Sequence, residues 1–130
     1  YVVLVYEIME KRLPKATTKI SYDGKVFISK VNSENGEVNS STEFFYHQND
    51  RTLWAEYSGG EIVRGNLIGT VDENGELNFY YQHINNQGTA RIGKCHSVPT
   101  VLENGKIELN ESWQWLNGDL SIGNSVLIEK

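Results

Sequence analysis

The stretch EIVRGNLIGTVDENGELNFYYQHI, residues 61–84, decides the fold. Two runs rich in β-branched and aromatic residues flank the turn Glu-Asn-Gly at 73–75, where Asn-Gly supplies the positive φ that a tight hairpin needs. A three-residue turn at this place sets Val71 opposite Leu77, and alternate residues of both runs then share one face. The stretch therefore predicts an antiparallel hairpin with one inward and one outward face.

Comparable turns recur after Pro14, where Asn-Gly, Gly-Gly and Asn-rich loops separate further runs of the same kind. They divide the chain into strands near 25–33, 37–48, 52–58, 61–72, 76–84, 89–102, 106–116 and 119–129. We therefore predict an all-β fold, an antiparallel up-and-down meander barrel of about eight strands. Closure of the barrel hides the two edge strands that an open sheet would expose. A flattened β-sandwich of the same strands is the alternative.

The N-terminal segment differs in pattern from the rest of the chain. Residues 1–18 are predicted to be an N-terminal extension or cap, and residues 19–130 a single β-barrel domain. The apolar opening at 1–6 is too short to span a bilayer, and it lacks the basic start of a signal peptide. Residues 7–13 could form a short helix that ends before Pro14.

Composition narrows the classes of function. The chain of 130 residues has 12 Lys and Arg against 17 Asp and Glu, for a formal net charge of -5. This balance offers no basic surplus for binding nucleic acid, and no segment is suited to a membrane. Cys95 is the single cysteine of the sequence and cannot form an internal disulfide, which favours a reducing, cytoplasmic location.

The histidines and cysteine do not suggest a metal site. No Cys/His spacing in the sequence is typical of structural zinc. Strand alternation turns His47 and His96 outward and His83 inward, so the three imidazoles do not share a face. The sequence therefore predicts neither a metal nor a cofactor.

Hairpin register predicts which side chains fill the barrel. A two-residue turn at Asn117-Gly118 would set Trp113 opposite Ile122, and the Gly59-Gly60 turn would set Trp54 opposite Gly65. Both arrangements turn large apolar side chains inward. The predicted core contains Phe27, Phe44, Trp54, Phe79, Leu109, Trp113 and Ile122.

The same register turns polar side chains inward, which an inert core would avoid. Strand direction gathers most of them at one end of the barrel, the mouth, opposite an apolar floor. Aromatic walls with a few convergent polar groups are typical of small-molecule sites. Arg91 is the candidate for orienting an anionic ligand group, with Glu56 as its neighbouring counter-charge. The predicted ligand-binding residues are Tyr46, Trp54, Glu56, Tyr81, His83, Arg91, Glu111, Trp113, Trp115 and Asn124.

Three interpretations of this interior stay open. The protein binds a small molecule in the mouth, or interior groups such as Glu56, Glu111 and His83 perform acid/base catalysis. Alternatively, the polar groups are satisfied internal pairs within a filled core, and the protein has a structural or interaction role. Outward aromatic residues would then form the self-association patch of a homodimer: Phe45, Tyr57 and Tyr80.

Five motifs carry a resemblance to known proteins: Tyr57-Ser58-Gly59-Gly60, Gly65-Asn66-Leu67-Ile68-Gly69, Tyr81-Gln82-His83, Trp113-Gln114-Trp115 and Gly118-Asp119. From about residue 20 onward the chain resembles a family of small uncharacterised bacterial proteins, many of them labelled "N-acetylglutamate synthase". Acetyltransferases of that activity have an α/β fold with a Gln/Arg-x-x-Gly-x-Gly/Ala turn for acetyl-CoA, which no stretch here matches. The resemblance thus implies a bacterial source and a compact barrel, without catalytic residues.

By architecture, the predicted barrel also resembles the calycin group, which includes lipocalins, fatty-acid-binding proteins and avidins. The N-terminal Gly-x-Trp signature of lipocalins is absent from the sequence. This resemblance therefore implies a barrel that holds a ligand in its mouth, but it does not imply a ligand class.

Overall fold

Strands form between the turns that the sequence marks. A computed structural model describes residues 20–130, and these contain β1 (Val26–Asn32), β2 (Glu43–Asn49), β3 (Thr52–Gly59), β4 (Ile62–Val71), β5 (Leu77–Asn85), β6 (Ala90–Val101), β7 (Ile107–Trp115) and β8 (Ile122–Glu129). Each strand pairs antiparallel with the next, and β8 pairs with β1 to close the barrel. The predicted all-β meander barrel is confirmed.

The N-terminal predictions lie outside the described residues. They concern the extension at 1–18 and the short helix at 7–13. Within residues 20–130, no helix is long and apolar enough to cross a membrane.

Two hairpins have the register that the sequence predicts. Across the β4–β5 turn Val71 lies opposite Leu77, and Gly65 lies opposite His83. Across the β6–β7 turn Ser97 lies opposite Glu111. Both turns place glycine at positive φ, at Gly75 and Gly105, as the Asn-Gly pattern requires.

The predicted orientation of β3 is wrong. Trp54 and Glu56 point outward, because the β2–β3 turn has two residues and pairs Asn49 with Thr52. Asp50 makes this short turn by adopting a φ of 57°, an uncommon conformation for a residue other than glycine. The one-residue change in register reverses the faces of the strand and turns Tyr57 inward.

The predicted orientation of β8 is also wrong. The predicted two-residue turn is a longer loop, in which Leu120 has a φ of 60°. Trp113 therefore lies opposite Gly123, while Ile122 and Asn124 point outward. Ile122 is 73% exposed, so it does not belong to the core.

The predicted second strand begins later than expected. Residues 33–42 are a loop rather than the start of β2, and this loop covers the mouth of the barrel. The floor is closed by Tyr22, whose hydroxyl donates to the carbonyl oxygen of Gly75 in the β4–β5 turn. The rings of Tyr22, Phe27 and Tyr46 pack together there, so the floor is apolar and filled.

Candidate functional site

The β1–β2 loop, residues 33–42, lies over the mouth and is attached on two sides. The side-chain amide of Asn35 donates to Ser121 Oγ at 2.9 Å and to the carbonyl oxygen of Ile122 at 3.0 Å. Trp115 Nε1 donates to the carbonyl oxygen of Asn35 at 3.1 Å. These bonds tie the loop to the β7–β8 connection and to the top of β7.

Glu37 extends from this loop into a cluster of hydrogen-bond donors. His83 Nε2 is 2.9 Å from Glu37 Oε1, and Arg91 Nη1 donates to Oε2 at 2.8 Å. Asn85 Nδ2 is 3.3 Å from both oxygens. Burial alone would raise the pKa of Glu37, but the hydrogen bonds from His83 and Asn85 and the charge of Arg91 lower it below its usual value. Glu37 is therefore ionised at neutral pH.

The hydrogen bonds of His83 determine which ring nitrogen carries its proton. Burial lowers the pKa of His83, and this outweighs the attraction of Glu37, so the imidazole is neutral at pH 7. An ionised Glu37 only accepts hydrogen bonds, which assigns the proton to Nε2. The Nδ1 atom then accepts from the Tyr57 hydroxyl at 2.9 Å. The contact between His83 and Glu37 is thus a hydrogen bond to a carboxylate rather than an ion pair.

Arg91 lies over the aromatic wall. Its Cζ atom is 3.8 Å from the centroid of the Trp115 ring, a cation–π contact that supports the guanidinium. Its Nε atom is buried and has no hydrogen-bond partner among the described residues. The guanidinium therefore keeps a spare donor on the edge that Nε shares with Nη2, while Nη1 holds Glu37.

A second polar cluster lies at mid-depth. Buried Glu111 accepts from Ser97 Oγ at 2.6 Å and from Ser125 Oγ at 3.0 Å. Burial raises the pKa of Glu111 to about 7, although both serines act to lower it. Among residues 20–130 no cation lies within ion-pair distance of it. Burial and then the charge of Glu111 raise the pKa of Tyr46, whose buried hydroxyl lacks a hydrogen-bond partner in the described chain.

A cavity of about 50 Å³ connects the two clusters. Glu37 and Val38 of the loop close it at the top, and Glu111 lines it below. Its wall is largely aromatic, with Phe44, Tyr57, Phe79, Tyr81, Trp113 and Trp115. At roughly 10–15 Å³ for each water, the cavity has room for a few waters, whereas small-molecule sites occupy roughly 300–1,000 Å³.

Comparison with protein families supports this architecture. The model of the avidin-like protein family matches residues 20–130, which is the whole barrel. The chain belongs to the avidin-like family. A search of curated proteins found no match to the chain.

This avidin-like barrel brings together seven of the ten predicted ligand-binding residues. Tyr46 lies buried near Glu111, and the other six line the cavity or its mouth: Tyr81, His83, Arg91, Glu111, Trp113 and Trp115. The remaining three, Trp54, Glu56 and Asn124, lie on the outer face. Glu56 contacts His47 at 2.7 Å there, so it is not the counter-charge of Arg91.

Sequence reasoning missed three residues of the candidate site: Glu37, Asn85 and Tyr57. Glu37 supplies the counter-charge of Arg91 instead of Glu56. The stretch at 37–42, Glu-Val-Asn-Ser-Ser-Thr, lies within the predicted strand 37–48. Its run of small polar residues is typical of a loop, and this signal could have separated Glu37 from β2. Tyr57 is predicted to be an outward aromatic because the predicted register of β3 reverses its face, whereas it is buried in the structure.

Proposed function

We propose that this avidin-like protein binds a small organic molecule inside the barrel, entering through the mouth. The observation that carries the proposal is Glu111, a buried carboxylate without a cation among the described residues, at the bottom of an aromatic cavity. Ser97 and Ser125 each donate one hydrogen bond to Glu111, but a carboxylate that is buried without a cation stays costly and gains from a further donor. A ligand with an N–H or O–H group at its inner end would supply that donor.

The closed cavity is too small for such a ligand, so the β1–β2 loop opens when it binds. The loop is attached by side-chain hydrogen bonds, including those of Glu37, and by one backbone hydrogen bond at its start, from Ser33 N–H to the carbonyl oxygen of Asn124, while the strands below it are paired on both sides. Displacing Glu37 and Val38 would join the cavity to the mouth. The aromatic wall can then pack against an apolar ligand body.

Native mass spectrometry of freshly purified protein tests the proposal. We expect wild type to carry a non-covalent small molecule, and Glu111→Gln, which removes the acceptor charge, to carry much less of it. Asn124→Asp is the matched control on the outer face and should retain the ligand as wild type does. Apo mass alone for wild type, together with a silent thermal-shift screen of small molecules, would refute the proposal.

A second candidate function is acid/base catalysis by interior groups. The hydrogen-bonded series Tyr57, His83 and Glu37 favours it, because a neutral imidazole between a hydroxyl and a carboxylate can relay a proton. Time-resolved mass spectrometry separates the two functions. A binding protein releases the retained molecule unchanged on denaturation, whereas an enzyme converts it during incubation.

The outer face favours association with a second copy of the chain. Trp54 lies beside Ile68, and Ile68 beside Tyr80, in a row across β3, β4 and β5. The three side chains are 37%, 60% and 63% exposed. An apolar row of this kind is suited to the interface of a homodimer. Light scattering of Ile68→Lys should show a smaller oligomer than wild type; equal masses would refute the dimer.

A further inference from the structure

We propose that His83, Asn85 and Arg91 form a carboxylate-binding site, which Glu37 fills in the closed barrel and which the carboxylate of a small-molecule ligand occupies once the loop opens. This inference rests on the proposed function and names the ligand class. The ligand is a small monocarboxylate with a flat apolar body that reaches down the aromatic wall.

The three donors are oriented without help from Glu37. The Asn85 side-chain oxygen accepts from the backbone N–H groups of Gln87 and Thr89 at 3.0 Å each, which turns its amide nitrogen toward the site. Tyr57 fixes His83, and the Trp115 ring supports Arg91. Removal of Glu37 would thus leave a built site rather than a collapsed one.

The donors and the acceptor also come from different kinds of structure. His83, Asn85 and Arg91 lie in adjacent strands β5 and β6 of the closed barrel, and Glu37 lies in a loop. A side chain that a loop delivers can be exchanged for a ligand without breaking the sheet. Arg91 uses only Nη1 on Glu37, and its buried Nε–H, on the guanidinium edge shared with Nη2, is unpaired among the described residues. A ligand carboxylate that reaches this second edge would make the bidentate contact that Glu37 does not make.

The position of the site determines what else the ligand needs. Glu37, His83 and Trp115 all line the top of the cavity whose lower wall contains Glu111. A carboxylate at the mouth therefore directs the rest of the molecule past Tyr81 and Trp113. A flat apolar body fits these walls, and a donor at its far end would meet Glu111.

Chemical rescue of Glu37→Ala by acetate tests the inference. Acetate replaces the missing carboxylate, so we expect a saturable rise in the Tm of this variant that is much larger than the rise for wild type. Acetamide has the same shape without the charge and should not reproduce it. Arg91→Met in the Glu37→Ala background is the matched control and should lose the response.

A second measurement covers the case in which Glu37→Ala does not fold. Phenylacetate and phenylacetamide are titrated into wild type while tryptophan fluorescence is followed, because Trp115 contacts the site. We expect a saturable change with the acid at least about tenfold tighter than with the amide, since a charge-assisted contact contributes about 1.4 kcal/mol or more.

The results separate this inference from the proposed function. Equal responses to acid and amide, or an acetate response that survives Arg91→Met, would overturn the carboxylate site even if a cellular ligand is retained. Conversely, acetate rescue that depends on Arg91 supports the site even if wild type carries no cellular ligand. In that second case only the proposed function fails.

Discussion

The two ends of the barrel are closed by different forces. Tyr22, Phe27 and Leu109 are fully buried near the floor, where apolar contact excludes water without directional requirements. At the mouth, Glu37 and Arg91 form an ion pair supported by directional hydrogen bonds. The comparison teaches that apolar packing holds the floor and polar contacts hold the mouth, and these polar contacts are the ones that the proposed ligand carboxylate would displace.

The largest effect is expected at the floor. Leu109→Ala removes a fully buried side chain that the packed sheet cannot replace, so the free energy of unfolding should fall by about 3 kcal/mol. Val101→Ala, near the same end but 58% exposed, is the control and should change it little. Urea denaturation measures both. Equal losses for the two variants would mean that the floor is not the stabilising end.

At mid-depth, the expected effect depends on pH. The pKa of Glu111 is about 7 in the folded protein and 4.5 as its ordinary value, so the folded state binds the proton more tightly. Wild type should therefore lose stability as pH rises from about 5 to 7. Glu111→Gln removes this loss. The free energy of unfolding of the variant, relative to that of wild type, should therefore increase between pH 5 and 7 and then level off. A constant difference from pH 5 to pH 8 in urea titrations would contradict the assignment.

A smaller effect is expected at the mouth. Arg91→Met leaves the Glu37 carboxylate without its cation, and the free energy of unfolding should fall by about 2 kcal/mol. Adding Glu37→Gln should recover most of this loss, because the two residues act as one unit. A double-mutant cycle measured by urea denaturation tests the coupling. Strictly additive losses would show that the ion pair does not hold the loop.

The smallest effect is expected outside the barrel. Glu56→Gln breaks an exposed contact with His47, and such surface pairs contribute less than about 0.5 kcal/mol. Glu37→Gln makes the same chemical change at the mouth and should cost measurably more. The same denaturation experiment compares the two glutamates. A larger loss for Glu56→Gln would reverse the distinction between the outer face and the interior.

The sequence predicts the fold correctly because strand alternation and Asn-Gly turns are local signals. The hairpins at Gly75 and Gly105 are predicted in register. The Gly59-Gly60 hairpin is not, because an irregularity between Tyr57 and Gly59 shifts the strands, and Gly65 lies opposite Tyr57 instead of Trp54. The other errors of register arise where Asp50 and Leu120 adopt positive φ. The leucine side chain gives no signal of this conformation, whereas Asp tolerates it and marks a turn without fixing whether the turn has two or three residues.

In the candidate site, too, some residues are predicted from the sequence and others are not. Residues on strands whose inward faces are predicted correctly, such as His83, Arg91 and Glu111, are placed inside by alternation alone. The partner of Arg91 could not be found in this way. Glu37 reaches it from a loop whose path depends on contacts with β5, β6 and β7, and no periodic pattern encodes such contacts.

Closure of the sheet determines when β1 can complete its pairing during synthesis of the chain. β1 completes its pairing only with β8, so that Val31 meets Val126 from the opposite end of the chain. Ribosomes release the chain from its N-terminal end, and β1 must remain without one neighbour until β8 has emerged. Contacts between such distant parts of a sequence form slowly. The barrel can therefore close only after the β7–β8 hairpin has been synthesised. A truncation within β8 would leave seven otherwise intact strands with two edges open to other chains.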